Sequence, residues 1–173
     1  MEALICISPA RLADAGIISR IIERSIRFGC ALDHRNDASL VSRWVGLQSA
    51  DFISARLADP QFYLCIALLC DKPVGVGMAG SGGEIVLCHV QPESFRRGVG
   101  RALMMDLEGW LRVHGVFHAQ LNSTRTGQAF YRHLGYRVAT APRECHGLQV
   151  QPMCKPLVSS VWRLEQGLNP RRP

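Results

Sequence analysis

Between Gly83 and Ala102 the chain reads GEIVLCHVQPESFRRGVGRA, and this stretch limits the possible folds more than any other. Glu84 to Val90 is a short apolar run rich in β-branched residues, the pattern of a buried strand, and Pro92 ends it because proline has no N–H to give a sheet ladder. Val99, Leu103, Met104, Leu107 and Leu111 then recur at the spacing of one helix face. Arg96, Arg97, Gly98, Val99, Gly100 and Arg101 make the turn into that helix. A strand, a basic turn and a helix in this order gather free backbone N–H groups and the positive end of a helix dipole at one point, which suits phosphate. Gly98 and Gly100 put no side chain between an anion and the backbone, and the three arginines add charge-assisted donors, so a pyrophosphate site is expected here.

The remaining chain reads as strands and helices around this unit. Met1 to Ile7 is a first strand, and Leu12, Ala15, Ile18, Ile21, Ile22 and Ile26 give a first helix over Ala10 to Phe28. A polar linker carrying Asp33, His34, Asn36 and Asp37 leads to a second helix through Leu40, Val41, Trp44, Val45, Leu47 and Phe52 to Leu57, capped by Asp37 or Ser39. Pro60 stops it. The run from Phe62 to Cys70 and the VGVGMAG segment, joined at Asp71-Lys72-Pro73, form a hairpin that continues through Ser81-Gly82-Gly83 into the Glu84 strand, an antiparallel meander. After the Gly98 helix come a strand over Val116 to Leu121, a helix over Thr124 to His133, a strand over Tyr136 to Thr140 and a return strand over Gly147 to Lys155. The fold class is α+β, a mixed α/β chain with a mostly antiparallel central sheet. Residues 1–157 form one domain, with 158–173 as an appendage whose Val161, Trp162 and Leu164 would suit docking on a second subunit in a homodimer.

Composition narrows the function classes. A chain of 173 residues with 47% apolar and 20% charged residues can bury a full core. Its net charge of +6 favours anionic partners, but no long basic run with interleaved aromatics appears, so nucleic acid is the weaker reading. No stretch has the length of a membrane span, and the N-terminus lacks the basic and long apolar regions of a secretion signal, so no membrane partner and a cytoplasmic location are expected. Seven cysteines, an odd number without a C-x-x-C pair or a histidine at zinc spacing, read as buried thiols rather than a metal site, and no metal is assigned.

Two blocks carry a resemblance. Phe95-Arg96-Arg97-Gly98-Val99-Gly100 is similar to the Gln/Arg-x-x-Gly-x-Gly/Ala motif of the GCN5-related N-acetyltransferase (GNAT) superfamily, with Phe95 replacing its first residue. Leu121-Asn122-Ser123-Thr124 followed by Ala129-Phe130-Tyr131-Arg132-His133-Leu134-Gly135-Tyr136 resembles the family's second signature, Asn then Phe-Tyr-x-x-Leu-Gly-Phe/Tyr. The resemblance implies a sheet of about seven strands with about four helices, splayed between its fourth and fifth strands. In such a fold Cys88, His89 and Val90 lie beside the pantetheine arm of acetyl-CoA, and Phe95 to Arg101 hold its diphosphate. The implied activity is transfer of the acetyl group of acetyl-CoA to an amine of a small molecule or a protein in a ternary complex. A module that binds acyl-CoA without turnover is the alternative.

Such a transfer needs a neutral amine, an oriented carbonyl and a proton for the leaving thiolate. The resemblance casts Tyr131 as general acid; a ring packed in the core explains the same residue. It casts Glu84 as general base acting through water, and a carboxylate opening an apolar strand is one that desolvation can tune; a solvated strand start is the alternative. His89 is a second candidate base, on the opposite strand face from Glu84 if no bulge intervenes. Asn122 resembles a contact to pantetheine or acceptor, or else it caps the next helix. Asp33, His34 and Trp44 either line the acceptor pocket or belong to linker and core.

Overall fold

A computed structural model describes residues 4–157; the expectations for 158–173 lie outside the described residues. Strand β1 (Ile5–Pro9) leads to α1 (Ala15–Arg24), which buries Ala15, Ile18, Ile21 and Ile22 as the apolar spacing requires. The helix continues as a π-helical turn over Ser25–Gly29, and this wider turn brings Ser25 and Ile26 into the buried face. A one-turn helix, α2 (Ala31–His34), follows and stops where Arg35 and Asn36 take left-handed backbone angles, with φ of 50° and 59°.

The expected second helix is two. Helix α3 (Ala38–Gly46) starts at Asp37, whose carboxylate accepts from the Leu40 N–H, and α4 (Ala50–Ala58) starts at Ser49, whose hydroxyl accepts from the Phe52 N–H. In a continuous helix the Phe52 N–H would bond the Gln48 carbonyl, but that carbonyl instead accepts from the Ser19 hydroxyl of α1 at 3.2 Å. A tertiary contact thus breaks a helix that apolar periodicity alone would have continued.

Strands β2 (Phe62–Leu69), β3 (Lys72–Gly80) and β4 (Ile85–Val90) form the expected meander with β1, in the order β1-β2-β3-β4, all antiparallel. The first turn sits one residue earlier than expected, at Cys70 and Asp71, both with positive φ (49° and 62°), the geometry of a two-residue hairpin. Pro73 lies inside β3, tolerated because the β2–β3 register shifts between Ala67 and Leu68 opposite it.

Helix α5 (Val99–Val113), β5 (His118–Ser123), α6 (Gln128–His133), β6 (Arg137–Val138), β7 (Arg143–Cys145) and β8 (Leu148–Pro156) complete the described chain. The second sheet runs β5-β8-β6, with β7 also paired to β8. Among the described residues the two sheets are joined by one parallel bridge, Glu84 to Gln120, where the Gln120 N–H bonds the Gly83 carbonyl at 2.9 Å. Beyond it β4 and β5 separate, which is the expected splay. The described residues hold eight strands and six α-helices, more than expected because the second helix divides and the strands β6 and β7 and the helix α2 are very short. No helix among them is long and apolar enough to cross a membrane.

Each face of the first sheet carries a core. Ile18, Ile21 and Ile22 of α1 pack on Ile66, Val76 and Met78, while Val99, Leu103, Leu107 and Leu111 of α5 pack on the other face. Glycines in β3 let α5 approach closely. A Cβ on Gly75 would lie 3.0 Å from Leu103 Cδ1 and Val99 Cγ1, and one on Gly77 would lie 2.9 Å from Leu107 Cδ1. The VGVG segment therefore sets the height of α5, and with it the position of the basic loop. Replacing Gly77 by valine should destabilise the protein by about 1–3 kcal/mol through overpacking, read as a lower denaturation midpoint at unchanged slope; an unaltered midpoint would show that α5 tolerates displacement.

Candidate active site

The basic loop is built from its two ends. After β4, Pro92–Ser94 form one 3₁₀ turn, and the Phe95 ring then lies over Gly29 of the π turn, where a Cβ would come within 2.8 Å of Phe95 Cζ. Phe95 is thus an anchor that ties the loop to the first helix. The reversal into α5 passes through Arg96 (φ 57°) and Gly98 (φ 86°), and at Gly98 a residue without Cβ meets no strain. No side chain caps α5; its first intrahelical bond runs from the Ala102 N–H to the Gly98 carbonyl, which leaves the N–H groups of Val99, Gly100 and Arg101 ahead of it. Arg96, Arg97 and Arg101 are exposed and form no ion pair among the described residues. Val99 itself is buried and serves packing. At Gly100 a Cβ would lie 3.0 Å from Phe130 Cζ, so this glycine also lets the second sequence block dock directly on the first turn of α5.

The opening between β4 and β5 is lined through a bulge. Met78 pairs with Leu87 but Ala79 with Ile85, so Val86 is an extra residue in β4. Ile85, Cys88 and Val90 consequently share the α5 core, while Leu87 packs on the α1 core and His89 reaches Ser25. Strict alternation, which separated His89 from Glu84, does not hold across this bulge.

Tyr131 projects from α6 to share a hydrogen bond with the Cys88 thiol. Its ring is held edge-on by Phe130 and Tyr136, with centroids at 5.1 and 5.8 Å, and lies against Gly127, where a Cβ would sit 3.0 Å from Tyr131 Cε2. Burial, reinforced by Cys88, holds the Tyr131 phenol well above its usual range. Burial likewise pushes the Cys88 thiol up to about 12 against the opposing effect of the Tyr131 hydrogen bond, and the Cys30 thiol up to about 12 with help from Asp33. At neutral pH the phenol is therefore protonated and neither cysteine is a thiolate, so neither is poised as a nucleophile.

The structure disperses several other candidates. Glu84 is exposed at the closed end of the opening, beside Gln120, without the burial its proposed role as base assumed. Asn122 is exposed, and its side-chain oxygen accepts from Arg143 at 3.0 Å; it does not cap α6, which begins after Gly127. His34 is a structural group: its Nδ1 accepts from the Asn36 N–H, so its Nε2 donates to the Ile26 carbonyl, both at 3.0 Å. Trp44 is in the core. Asp33 reaches the loop after β5, where its Oδ1 accepts from the Thr126 N–H at 3.3 Å. Ser25 and Gly127 were not singled out from sequence. Gly127, four residues before Tyr131, was the readable signal; Ser25 is placed only by the π turn. Among the described residues no cluster of three or more His, Cys, Asp or Glu side chains is arranged to hold a metal ion.

The family model for the GNAT acetyltransferase domain matches residues 32–157. The chain belongs to the GNAT acetyltransferase family. Solved structures agree in fold. A GCN5-related N-acetyltransferase from Rhodopseudomonas palustris superposes with a TM-score of 0.79 at 22% identity, covering 90% of this chain and 98% of that one. PaiA N-acetyltransferase from Thermoplasma acidophilum, in complex with coenzyme A, gives 0.74 at 15% identity, covering 88% and 99%. The ribosomal-protein-S18-alanine N-acetyltransferase from Escherichia coli gives 0.64 at 18% identity, covering 91% and 96%. No curated protein sequence matches this one.

In this acetyltransferase His89 lies on β4 with its Nδ1 3.1 Å from Ser25 Oγ and its ring edge-on to Trp44, and burial pulls its pKa down to about 4. The neutral ring is thus the folded form. Because the folded pKa lies below the unfolded value of about 6.5, this stabilisation is complete above pH ~6.5 and is lost as pH falls toward 4, to a limit of about 3 kcal/mol. The stability gap between wild type and His89→Gln should therefore narrow from pH 7 to pH 4 in denaturant titrations; a constant gap would mean that His89 charges freely in the folded state.

Proposed function

We propose that this GNAT protein transfers the acetyl group of acetyl-CoA directly to an amine within a ternary complex. The observation that carries the reading is a single line of groups: the uncapped, arginine-flanked start of α5, the edge of β4 that leaves β5 after Glu84, and the protonated Tyr131 phenol at Cys88. The basic loop suits the diphosphate of the carrier through main-chain N–H groups and the side chains of Arg96, Arg97 and Arg101. Between α5 and α6 runs a groove of about 660 Å³, lined by Arg101, Met105, Phe130 and His133, which has room for the carrier's nucleoside end. Backbone groups of Cys88, His89 and Val90 offer the arm the pairing that β5 does not supply. Coenzyme A bound to the Thermoplasma relative supports this choice of carrier.

When bound, acetyl-CoA supplies a thioester, whose sulfur leaves as a thiolate. Tyr131 donates a hydrogen bond to that sulfur. A phenol held well above its usual range is a weak acid but a permanent donor, so it stabilises the growing charge throughout neutral and moderately alkaline pH. His89, already neutral and bonded to Ser25, fixes the strand on the other face. The acceptor nitrogen must lose its proton before attack, and solvent at the open mouth can take it. Glu84, exposed at the closed end, is left out of this scheme.

Release of free thiol from acetyl-CoA with a panel of amines and peptide N-termini tests the activity directly; absence of release with every acceptor, alongside tight acetyl-CoA binding, would favour a binding-only module. Tyr131→Phe should lower kcat by about 10²-fold while acetyl-CoA affinity stays within about threefold, since a ring of the same shape remains. An unchanged kcat would remove the phenol from the mechanism. The wild-type rate should rise with pH as the amine deprotonates and show no fall from Tyr131 ionisation below pH ~10.

A further inference from the structure

Asp33 and Thr126 present two polar atoms that the fold does not satisfy. Asp33 lies in α2, immediately after the π turn and Cys30, and Thr126 lies in the loop between β5 and α6. They meet through one bond, Thr126 N–H to Asp33 Oδ1, but Asp33 Oδ2 and Thr126 Oγ1 are both buried without a hydrogen-bond partner among the described residues. Asp33 also forms no ion pair among them. Burying a carboxylate oxygen with no donor is costly, and a loop joined to a second loop by a single N–H···O bond gives little in return. The location gives the arrangement a use. Thr126 precedes the glycine that lies under the Tyr131 ring, and the Cys30 thiol is influenced by Asp33 and in turn influences Tyr131. The two unsatisfied oxygens therefore stand beside the phenol, on the wall formed by α2 and the β5–α6 loop.

We infer that Asp33 Oδ2 and Thr126 Oγ1 seat the acceptor as an alkylammonium ion, so that this site selects amines that are protonated at neutral pH. The inference rests on amine acetylation as proposed above. An ammonium group carries three donors and one positive charge, so it satisfies both oxygens and neutralises the carboxylate at once. An arylamine, uncharged at neutral pH, brings fewer donors and no charge. Asp33 is in this sense a specificity residue, distinct from Tyr131, which acts on the sulfur.

The test compares 1,4-diaminobutane with aniline as acceptors for wild type, Asp33→Asn and Thr126→Val. Asp33→Asn keeps an oxygen for the Thr126 N–H, and Thr126→Val keeps that N–H, so each variant removes one half of the seat while preserving the link between the loops. Loss of a charge-assisted contact should raise KM for 1,4-diaminobutane about tenfold or more in Asp33→Asn, and by a smaller factor in Thr126→Val. KM for aniline and for acetyl-CoA should stay within about twofold, as a purely structural role for Asp33 would not predict. If Asp33→Asn leaves the diamine KM unchanged, or raises both amines equally, the inference is overturned. Calorimetric titration of the coenzyme A-saturated protein with 1,4-diaminobutane separates this inference from the proposed activity. Binding to wild type that Asp33→Asn abolishes sustains the seat even if no thiol is released with either amine, whereas no binding to wild type overturns it.

Discussion

Everything at the candidate site depends on where β4 and β5 stop bonding to each other. A strand in the middle of a sheet satisfies its N–H and C=O groups on both sides, and β4 does so only on its β3 side beyond the bridge at Glu84 and Gln120. The separation is maintained by packing on both sides of the opening. Phe130 on Gly100 fixes α6 against the start of α5, and α5 is held at a set height over β3 by Gly75 and Gly77. On the far side β5 is bound into a different sheet by six paired positions with β8. The two half-sheets are each internally complete, so neither has spare groups to close the gap.

Burial then sets the electrical character of the opening. Cys30, Cys88, Tyr131 and His89 are all driven to their neutral forms, the first three upward and the histidine downward, because a desolvated site disfavours whichever form is charged. Charge is concentrated elsewhere: three exposed arginines at the loop before α5, and the Asp33 carboxylate on the opposite wall. A neutral centre between a cationic end and an anionic end matches an anionic carrier meeting a cationic acceptor. Within a low-dielectric centre a single oriented hydroxyl has more effect on a developing thiolate than it would in water. A buried carboxylate elsewhere shows the opposite strategy: Glu108 of α5 is matched by Lys155 at 2.8 and 2.9 Å and by the Tyr136 hydroxyl at 3.1 Å, so its charge serves to tie helix to sheet.

Much of this was legible from local pattern. The meander, the helix over Val99 to Leu111 and the basic loop follow from apolar period and from glycine and proline placement, which are properties of neighbouring residues. The failures share a cause. Ser19 breaking the α3–α4 helix, the bulge at Val86 and the π turn at Ser25 are each decided by a partner far away in sequence. The same holds for the site: Tyr131 was identified through its surrounding motif, whereas the exposure of Glu84 and the capture of Asn122 by Arg143 belong to the assembled sheets.

By itself the sequence determined the family, the order of the elements and the chemistry available at the loop before α5, because a left-handed glycine turn and an uncapped helix start are written in consecutive residues. Tertiary structure alone decided which side chains share the opening. The bulge turned His89 toward Ser25 and Cys88 toward Tyr131, and the close approach of two loops paired Asp33 with Thr126. Such choices depend on burial and on distances between segments that lie dozens of residues apart, and no local pattern encodes either.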